Sequence, residues 1–156
     1  MIKTDYETLL LQLESLMEDQ KYTITLLSNA SALLNEALDD INWVGFYLNC
    51  DGKLILGPFQ GLVACQEIAF ENGVCGAAAT TLSTQLVKNV HEFPGHIACD
   101  SRSNSEIVVP IIINDELYGV LDIDSPSMAR FDEEDQVNLE KAVEIMSTAI
   151  NKIINA

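Results

Sequence analysis

Apolar residues recur every three or four positions near both ends of the chain, with polar residues between them. This spacing predicts amphipathic helices, one over 9–17 and a second over 22–41. A third helix is predicted from Phe131 to about Ile153, and the acidic residues at its start suit the positive end of a helix dipole. The chain therefore begins with two helices and ends with one.

The middle of the chain instead carries short runs of β-branched and aromatic residues separated by turn residues, which predict strands. Asp51-Gly52 is a strong hairpin signal, so the strands around it should be antiparallel. Pro110 has no N–H to donate and marks a sheet edge or a bulge. The predicted strands are 43–48, 53–56, 65–70, 106–113 and 117–124, with a tight turn at 114–116 and a short helix over 76–83.

This order of elements, with no linker or repeat, predicts one α+β domain over 1–156, built on a five- to six-stranded antiparallel sheet. The terminal helices must bury their apolar faces on that sheet or on a partner. Their apolar surface exceeds what one small sheet can cover, which favours a homodimer.

Composition and charge exclude several classes of function. Hydrophobic residues make up 48% of the chain and charged residues 21%, which is typical of a globular protein. Eight basic and 24 acidic residues give a net charge of −16, which opposes binding to nucleic acid or to an anionic membrane surface. Without a cleavable leader pattern or a spanning apolar run, the expected location is the cytoplasm.

Four cysteines, Cys50, Cys65, Cys75 and Cys99, are too few and too widely spaced for the disulfide framework of a secreted protein. Only His96-x2-Cys99 has a spacing typical of zinc ligands, so a metal site is disfavoured. These cysteines are then either small buried apolar residues or redox groups.

The residues alone leave the choice of a reactive cysteine open. Cys75 is predicted just before a helix N-terminus, where the dipole would lower the pKa of its thiol. Cys99 lies in a Pro/Gly-rich loop near His96 and Arg102, which would stabilise a thiolate, whereas Asp100 would oppose it. The two histidines of this loop, His91 and His96, have a structural role as the alternative to catalysis.

Acidic and aromatic residues alternate with apolar ones on two of the predicted strands. Asp122 and Asp124 should share one face of their strand while Leu121 and Ile123 occupy the other. Trp43 and Tyr47 should likewise share a face. The acids form either a binding site or a solvated surface, and the aromatics form either pocket walls or core.

Six sequence blocks between Ile41 and Asp135 are more specific than any lone motif. They are WVGFY (43–47), GPFQG (57–61), GVCG (73–76), VHEFPGHIACD (90–100), SEIVVP (105–110) and GVLDIDSP (119–126). In this order they closely resemble the free methionine-(R)-sulfoxide reductases, a GAF-domain enzyme family. The resemblance implies a GAF-like fold with the N- and C-terminal helices on one face of the sheet.

The resemblance also implies a reaction and its residues. Cys99 would attack the sulfur of free methionine-(R)-sulfoxide, and its sulfenic acid would condense with Cys75 or Cys65. A thioredoxin-like protein would then reduce the disulfide, with no metal or organic cofactor. The resemblance places substrate-binding acids at Glu106, Asp122 and Asp124. The shared strand face of Trp43 and Tyr47 adds them as substrate-binding pocket walls. Since crowded carboxylates cannot all ionise cheaply, one of the acids would supply a proton. Cys50 matches no family cysteine. The alternatives are a non-catalytic GAF sensor of a small ligand and a thiol redox switch.

Overall fold

A six-stranded antiparallel sheet forms the centre of the computed structural model, which describes residues 3–96 and 99–156. The strand order is β3-β2-β1-β6-β5-β4. The elements are α1 (Tyr6–Met17), α2 (Thr23–Ala37), β1 (Trp43–Cys50), β2 (Lys53–Gly61), β3 (Glu67–Ala69), α3 (Gly73–Thr81), β4 (Gln85–Val87), β5 (Ser105–Ile113), β6 (Glu116–Ser125) and α4 (Glu133–Ile154).

The predicted terminal helices are confirmed, with ends set by local caps. The carboxylate of Asp5 accepts a hydrogen bond from the Thr8 N–H and begins α1. Asp132 and Asp135 form a reciprocal capping box at the start of α4. The second helix ends at Ala37, earlier than predicted, because the acidic pair after Leu38 is unfavourable at the negative end of the helix dipole.

Two tight hairpins set the register of the long strands. Asp51 and Gly52 both have positive φ between β1 and β2, and Asn114 and Asp115 do so between β5 and β6. Positive φ at both central residues is the type I′ geometry, whose twist matches the twist of paired strands. The two predicted hairpins are therefore confirmed, and β1 pairs with β6 to join them.

The two faces of the sheet carry separate cores. On one face Phe46, Ile107 and Leu121 pack against α1, α2 and α4, as predicted for the N- and C-terminal helices. On the other face Tyr47 and Val120 pack against α3. Alternation along β1 and β6 thus directs one set of side chains to the helices and the other set to the side that carries the predicted site.

The predicted helix 76–83 is shifted, and one strand was not predicted. α3 begins at Gly73, whose positive φ turns the chain into the helix. β4 has three residues and pairs only with 106–108 of β5, so Pro110 lies beyond its end, and a bulge follows at Ile111/Ile112. The prediction of an edge or a bulge at Pro110 is therefore confirmed.

A buried polar cluster ties the two ends of the chain together. Tyr6 Oη donates to Asp135 Oδ1 at 2.5 Å, and Arg130 Nη1 lies 3.4 Å from Asp135 Oδ2. Arg130 Nε also donates to the Asp39 carbonyl oxygen at 3.0 Å. Arg130 and Asp135 are 7% and 6% exposed, so this ion pair is shielded from water. Among the described residues no helix is both long and apolar enough to cross a membrane.

Candidate active site

A small cavity of about 40 Å³ lies on the sheet face opposite α1, α2 and α4. Strands β1, β5 and β6 form its floor, and the start of α3, His96 and the segment from Cys99 to Ser103 form its walls. Seven of the eight predicted site residues line it: Trp43, Tyr47, Cys75, Cys99, Glu106, Asp122 and Asp124. The eighth, Cys65, is bonded to Cys99.

Three acidic residues converge on the cavity floor. Glu106 on β5 pairs directly with Asp124 on β6, and Asp122 lies two residues before Asp124 on the same face. Burial raises the pKa of all three carboxyls, and for Glu106 the charges of the two aspartates raise it further. Both effects favour the protonated form and disfavour ionisation of all three carboxyls at once.

Two oxygens of this acid cluster have no hydrogen-bond partner among the described residues. Asp122 Oδ1 and Asp124 Oδ1 are both buried at the cavity. A buried unpaired carboxylate oxygen is costly, so it is a ready acceptor for a cationic or hydroxyl group of a ligand. The prediction that both aspartates share one strand face, with Leu121 and Ile123 on the other, is confirmed.

Cys75 lies deep against the acids and differs from its predicted setting. It is the third residue of α3 rather than the residue before the helix, and it is 4% exposed. Burial, followed by the charges of Asp122 and Glu106, raises the pKa of its thiol well above the ordinary value. The predicted lowering by the helix dipole is therefore wrong, because desolvation and nearby negative charge outweigh it.

Cys65 and Cys99 form a disulfide at the mouth of the cavity, with Cα atoms 5.5 Å apart and a sequence separation of 34. Both residues are half-buried. Cys75 and Cys50 are free, the first buried and the second exposed at the end of β1. The sequence left Cys75 and Cys65 as possible disulfide partners of Cys99, and in the structure the partner is Cys65.

The cavity aromatics hold the loop that carries Cys65. Tyr47 Oη donates to the Cys65 carbonyl oxygen at 2.9 Å, and Trp43 Nε1 donates to the Leu62 carbonyl oxygen at 3.2 Å. Trp43 also stacks on Tyr47 and on Phe59, with ring centroids 5.9 Å and 5.1 Å away. These residues are thus both cavity walls and core, and their polar tips fix the loop.

The loop after Cys99 is fixed by a residue that the sequence did not indicate. Asn42 Nδ2 donates to Asp100 Oδ2 at 3.0 Å and to Ser103 Oγ at 3.1 Å. Arg102 pairs with Asp100 at 2.8 Å and lowers the pKa of that carboxyl to about 2. Asp100 thus engages the guanidinium in the disulfide state, and the support of a Cys99 thiolate by Arg102 stays a prediction. No sequence motif surrounds Asn42 that would have revealed its role.

The two histidines have different surroundings. His91 is exposed, and its Nε2 lies 2.8 Å from Asn104 Oδ1, which fits the predicted structural role in the loop. His96 lines the cavity, and burial lowers the pKa of its imidazole. A lower pKa favours the neutral imidazole, which can both accept and donate a hydrogen bond at the cavity mouth.

One group of side chains has donor atoms close enough together to hold a metal. The Cys75 thiol and the carboxylates of Glu106 and Asp122 lie within 4.8 Å of one another. A metal would require these groups to lose their protons, and burial raises the pKa of each. A metal bound here would have to displace those protons, and the absence of a metal site stays a prediction.

Comparisons with known proteins agree with this geometry. Residues 25–151 match the GAF domain family. The chain is 48% identical to the free methionine-R-sulfoxide reductase of Escherichia coli over 144 residues, which cover 92% of this chain and 87% of that one. It is 50% identical to the Saccharomyces cerevisiae protein of the same name over 149 residues, which cover 90% of this chain and 83% of that one. The structure of fRMsr of Staphylococcus aureus in complex with substrate superposes with a TM-score of 0.92 at 52% identity, over 96% of this chain and 97% of that one.

Proposed function

The chain belongs to the GAF-domain family of free methionine-R-sulfoxide reductases, and on this basis we propose that it reduces free methionine-(R)-sulfoxide to methionine with its own thiols. One observation carries the proposal. A disulfide between two half-buried cysteines closes a cavity whose floor is acidic and whose walls are aromatic. This is the oxidised state that such a thiol reductase would reach after one turnover.

In the proposed reaction the sulfur of Cys99 attacks the sulfoxide sulfur and the S–O bond breaks. A protonated carboxyl donates its proton to the oxygen, which leaves as hydroxide. This hydroxide attacks Cys99 Sγ, the bond between the two sulfurs breaks with its electron pair going to methionine, methionine leaves, and Cys99 becomes a sulfenic acid. The Cys65 thiol then attacks the sulfenic sulfur, water leaves, and the disulfide forms. The two thiols lose two electrons and the sulfoxide gains two, so the step needs no further oxidant or reductant.

The acid cluster supplies both the proton and the recognition of the free amino acid. The raised pKa of Glu106 makes it a candidate proton donor, while an ionised aspartate pairs with the substrate ammonium. Asp124 is half-buried at the cavity and directly opposite Glu106, which suits it to the ammonium. A methionine sulfoxide residue within a peptide has no such ammonium and would leave the carboxylate unpaired.

The remaining walls fit the other parts of the substrate. Trp43 and Tyr47 offer apolar surface to the S-methyl group. Asn72, Gly73 and Val74 bring the N-terminal end of α3 to the cavity, where partial positive charge favours the substrate carboxylate. The site thus has a complementary surface for each end of the zwitterion.

Cys65 is the proposed resolving cysteine, which leaves Cys75 as a protonated neighbour of the acids. A thioredoxin-like dithiol protein would then restore both thiols. This cycle requires a reducing compartment, so we place the protein in the cytoplasm.

The proposed nucleophile is tested by Cys99→Ser, with Cys50→Ser as the matched control because Cys50 is exposed and free. Methionine formation from the free R-sulfoxide is measured with dithiothreitol as reductant. We expect no turnover for Cys99→Ser, because a hydroxyl lacks the nucleophilicity of a thiolate, and normal turnover for the control. Tight binding of methionine sulfoxide by the unmutated protein without methionine release would instead indicate a sensor.

We also propose a homodimer. The support is exposed apolar side chains on α1, α2 and α4, including Leu11, Ile24 and Val137. Light scattering over a range of concentrations tests this, and a constant monomer mass would contradict it.

A further inference from the structure

The loop that carries Cys65 exposes two aliphatic side chains beside the disulfide. Leu62 is 55% exposed and Val63 is 88% exposed, and Cys65 follows two residues after Val63. No charged residue occurs from Leu54 to Gln66, although the chain has 32 charged residues, 8 basic and 24 acidic. An uncharged apolar surface thus lies next to the reducible bond.

Hydrogen bonds from the two cavity aromatics fix the backbone of this surface. Trp43 fixes the Leu62 carbonyl oxygen and Tyr47 fixes the Cys65 carbonyl oxygen, so the backbone between them is tied at both ends. The aliphatic side chains are therefore presented to solvent by an ordered backbone. Interface centres are depleted of charge, and a preorganised loop loses less entropy when a partner binds.

The disulfide itself indicates which partner this surface serves. Of the three cysteines at the cavity, Cys75 is buried, and only the Cys65–Cys99 bond is open to a macromolecule. We propose that Leu62 and Val63 are the docking surface for the dithiol protein that reduces this disulfide, and that the partner's thiolate attacks the sulfur of Cys65. This inference rests on the proposed function.

The attack on Cys65 follows from position. Val63 and Cys65 are two residues apart, a span of at most about 7 Å, so a partner seated on Val63 reaches this sulfur directly. Cys99 is instead followed by the charged Asp100–Arg102 pair. The partner's thiolate bonds to Cys65 Sγ, the Cys65–Cys99 bond breaks, and its electron pair goes to Cys99, which takes up a proton. The partner's second thiol then displaces Cys65, which completes a two-electron transfer from dithiol to disulfide.

The test uses the oxidised protein without methionine sulfoxide, and reduction by a bacterial thioredoxin is followed as the appearance of free thiols. Val63→Glu places a charge in the proposed contact and Val63→Ser removes its apolar surface. Met128→Glu is the matched control, since Met128 is 52% exposed in the segment between β6 and α4, outside the helices proposed for the homodimer. We expect the second-order rate constant with thioredoxin to fall about tenfold or more for Val63→Glu and less for Val63→Ser, a loss of at least 1.4 kcal/mol at tenfold. Reduction by dithiothreitol should change less than about twofold, because a small thiol needs no docking surface.

A thioredoxin variant lacking its second active-site cysteine should trap a mixed disulfide with the oxidised protein, and peptide mass spectrometry should place it on Cys65. An unchanged rate for both Val63 variants, an equal fall for Met128→Glu, an equal fall with dithiothreitol, or a crosslink on Cys99 would each overturn the proposal. Failure of the proposed function is distinguishable, since it appears as absent methionine formation with dithiothreitol in the unmutated protein.

Discussion

Replacement of Glu106 by glutamine should make the protein more stable at neutral pH while it lowers catalytic efficiency. Glu106 is 8% exposed, and burial and then the charges of Asp122 and Asp124 raise the pKa of its carboxyl. A glutamine of the same shape keeps a donor toward both aspartates but carries no ionisable group. The substitution thus removes the ionisable group without leaving a cavity.

The sign of the effect follows from linkage. A carboxyl with a raised pKa in the folded state binds its proton more tightly there than in the unfolded chain. Well below the ordinary pKa of 4.5, Glu106 is protonated in both states and resembles glutamine. As the pH rises above 4.5, Glu106 ionises first in the unfolded chain, and this ionisation stabilises the unfolded state. The unmutated protein therefore loses stability relative to Glu106→Gln. The difference is complete once the pH exceeds the raised pKa in the folded protein.

A difference of one pKa unit between the folded and unfolded states is worth about 1 kcal/mol. Because the pKa of Glu106 is raised well above its ordinary value, a gain of about 1 kcal/mol or more is expected at pH 8. In a protein of this size each kcal/mol raises Tm by about 2–4 °C. Catalytic efficiency should fall at least about tenfold, since a general acid contributes about 10²–10⁴ in rate.

Urea unfolding at pH 4 and pH 8, together with methionine-formation kinetics, measures both effects. The control is Glu116→Gln, an exposed glutamate at the start of β6, which should change neither quantity. A variant less stable than the parent at pH 8, or equally stabilised at both pH values, would refute the idea that Glu106 is a strained acid in the folded state. Unchanged kinetics would refute its role as a proton donor.

Three further predictions follow from other contacts. Cys65→Ser should stop thioredoxin-supported cycling and leave turnover with dithiothreitol, whereas Cys75→Ser should still form the disulfide, as judged by activity and intact mass. Loss of the disulfide in Cys75→Ser alone would make Cys75, and not Cys65, the resolving cysteine. N-acetylmethionine sulfoxide should be used at least about 30-fold less efficiently than the free amino acid, because an unpaired buried Asp124 costs about 2–5 kcal/mol; equal kcat/KM values would contradict this. Asp135→Asn should lower the free energy of unfolding in urea by about 3–5 kcal/mol, because Arg130 keeps a buried uncompensated charge; a loss below about 1 kcal/mol would contradict it.

The elements that the sequence predicted well are those with local signals. Alternation along β6 placed Asp122 and Asp124 on one face, and paired turn residues located both hairpins. Short elements were harder: β4 has three residues, too few for a period, and the start of α3 depends on the backbone conformation of Gly73.

Effects that arise between distant segments could not be predicted from the sequence. The raised pKa of Cys75 comes from acids on strands far along the chain, and it reverses what the local helix start indicates. The link between Tyr6 and Asp135 spans 129 positions, and Asn42 reaches Asp100 across 58. Neither pairing leaves a periodic trace in the sequence.

The disulfide at the cavity mouth has a kinetic consequence. In this state the cavity is about 40 Å³, room for only a few water molecules at about 10–15 Å³ each, and far too little for an amino acid. Methionine sulfoxide and the protein reductant would then meet different forms of the enzyme, never the same one. Their double-reciprocal plots should be parallel, the signature of a ping-pong cycle. When reductant is scarce, the enzyme accumulates in the closed form, so its resting state reports the supply of electrons rather than the supply of substrate.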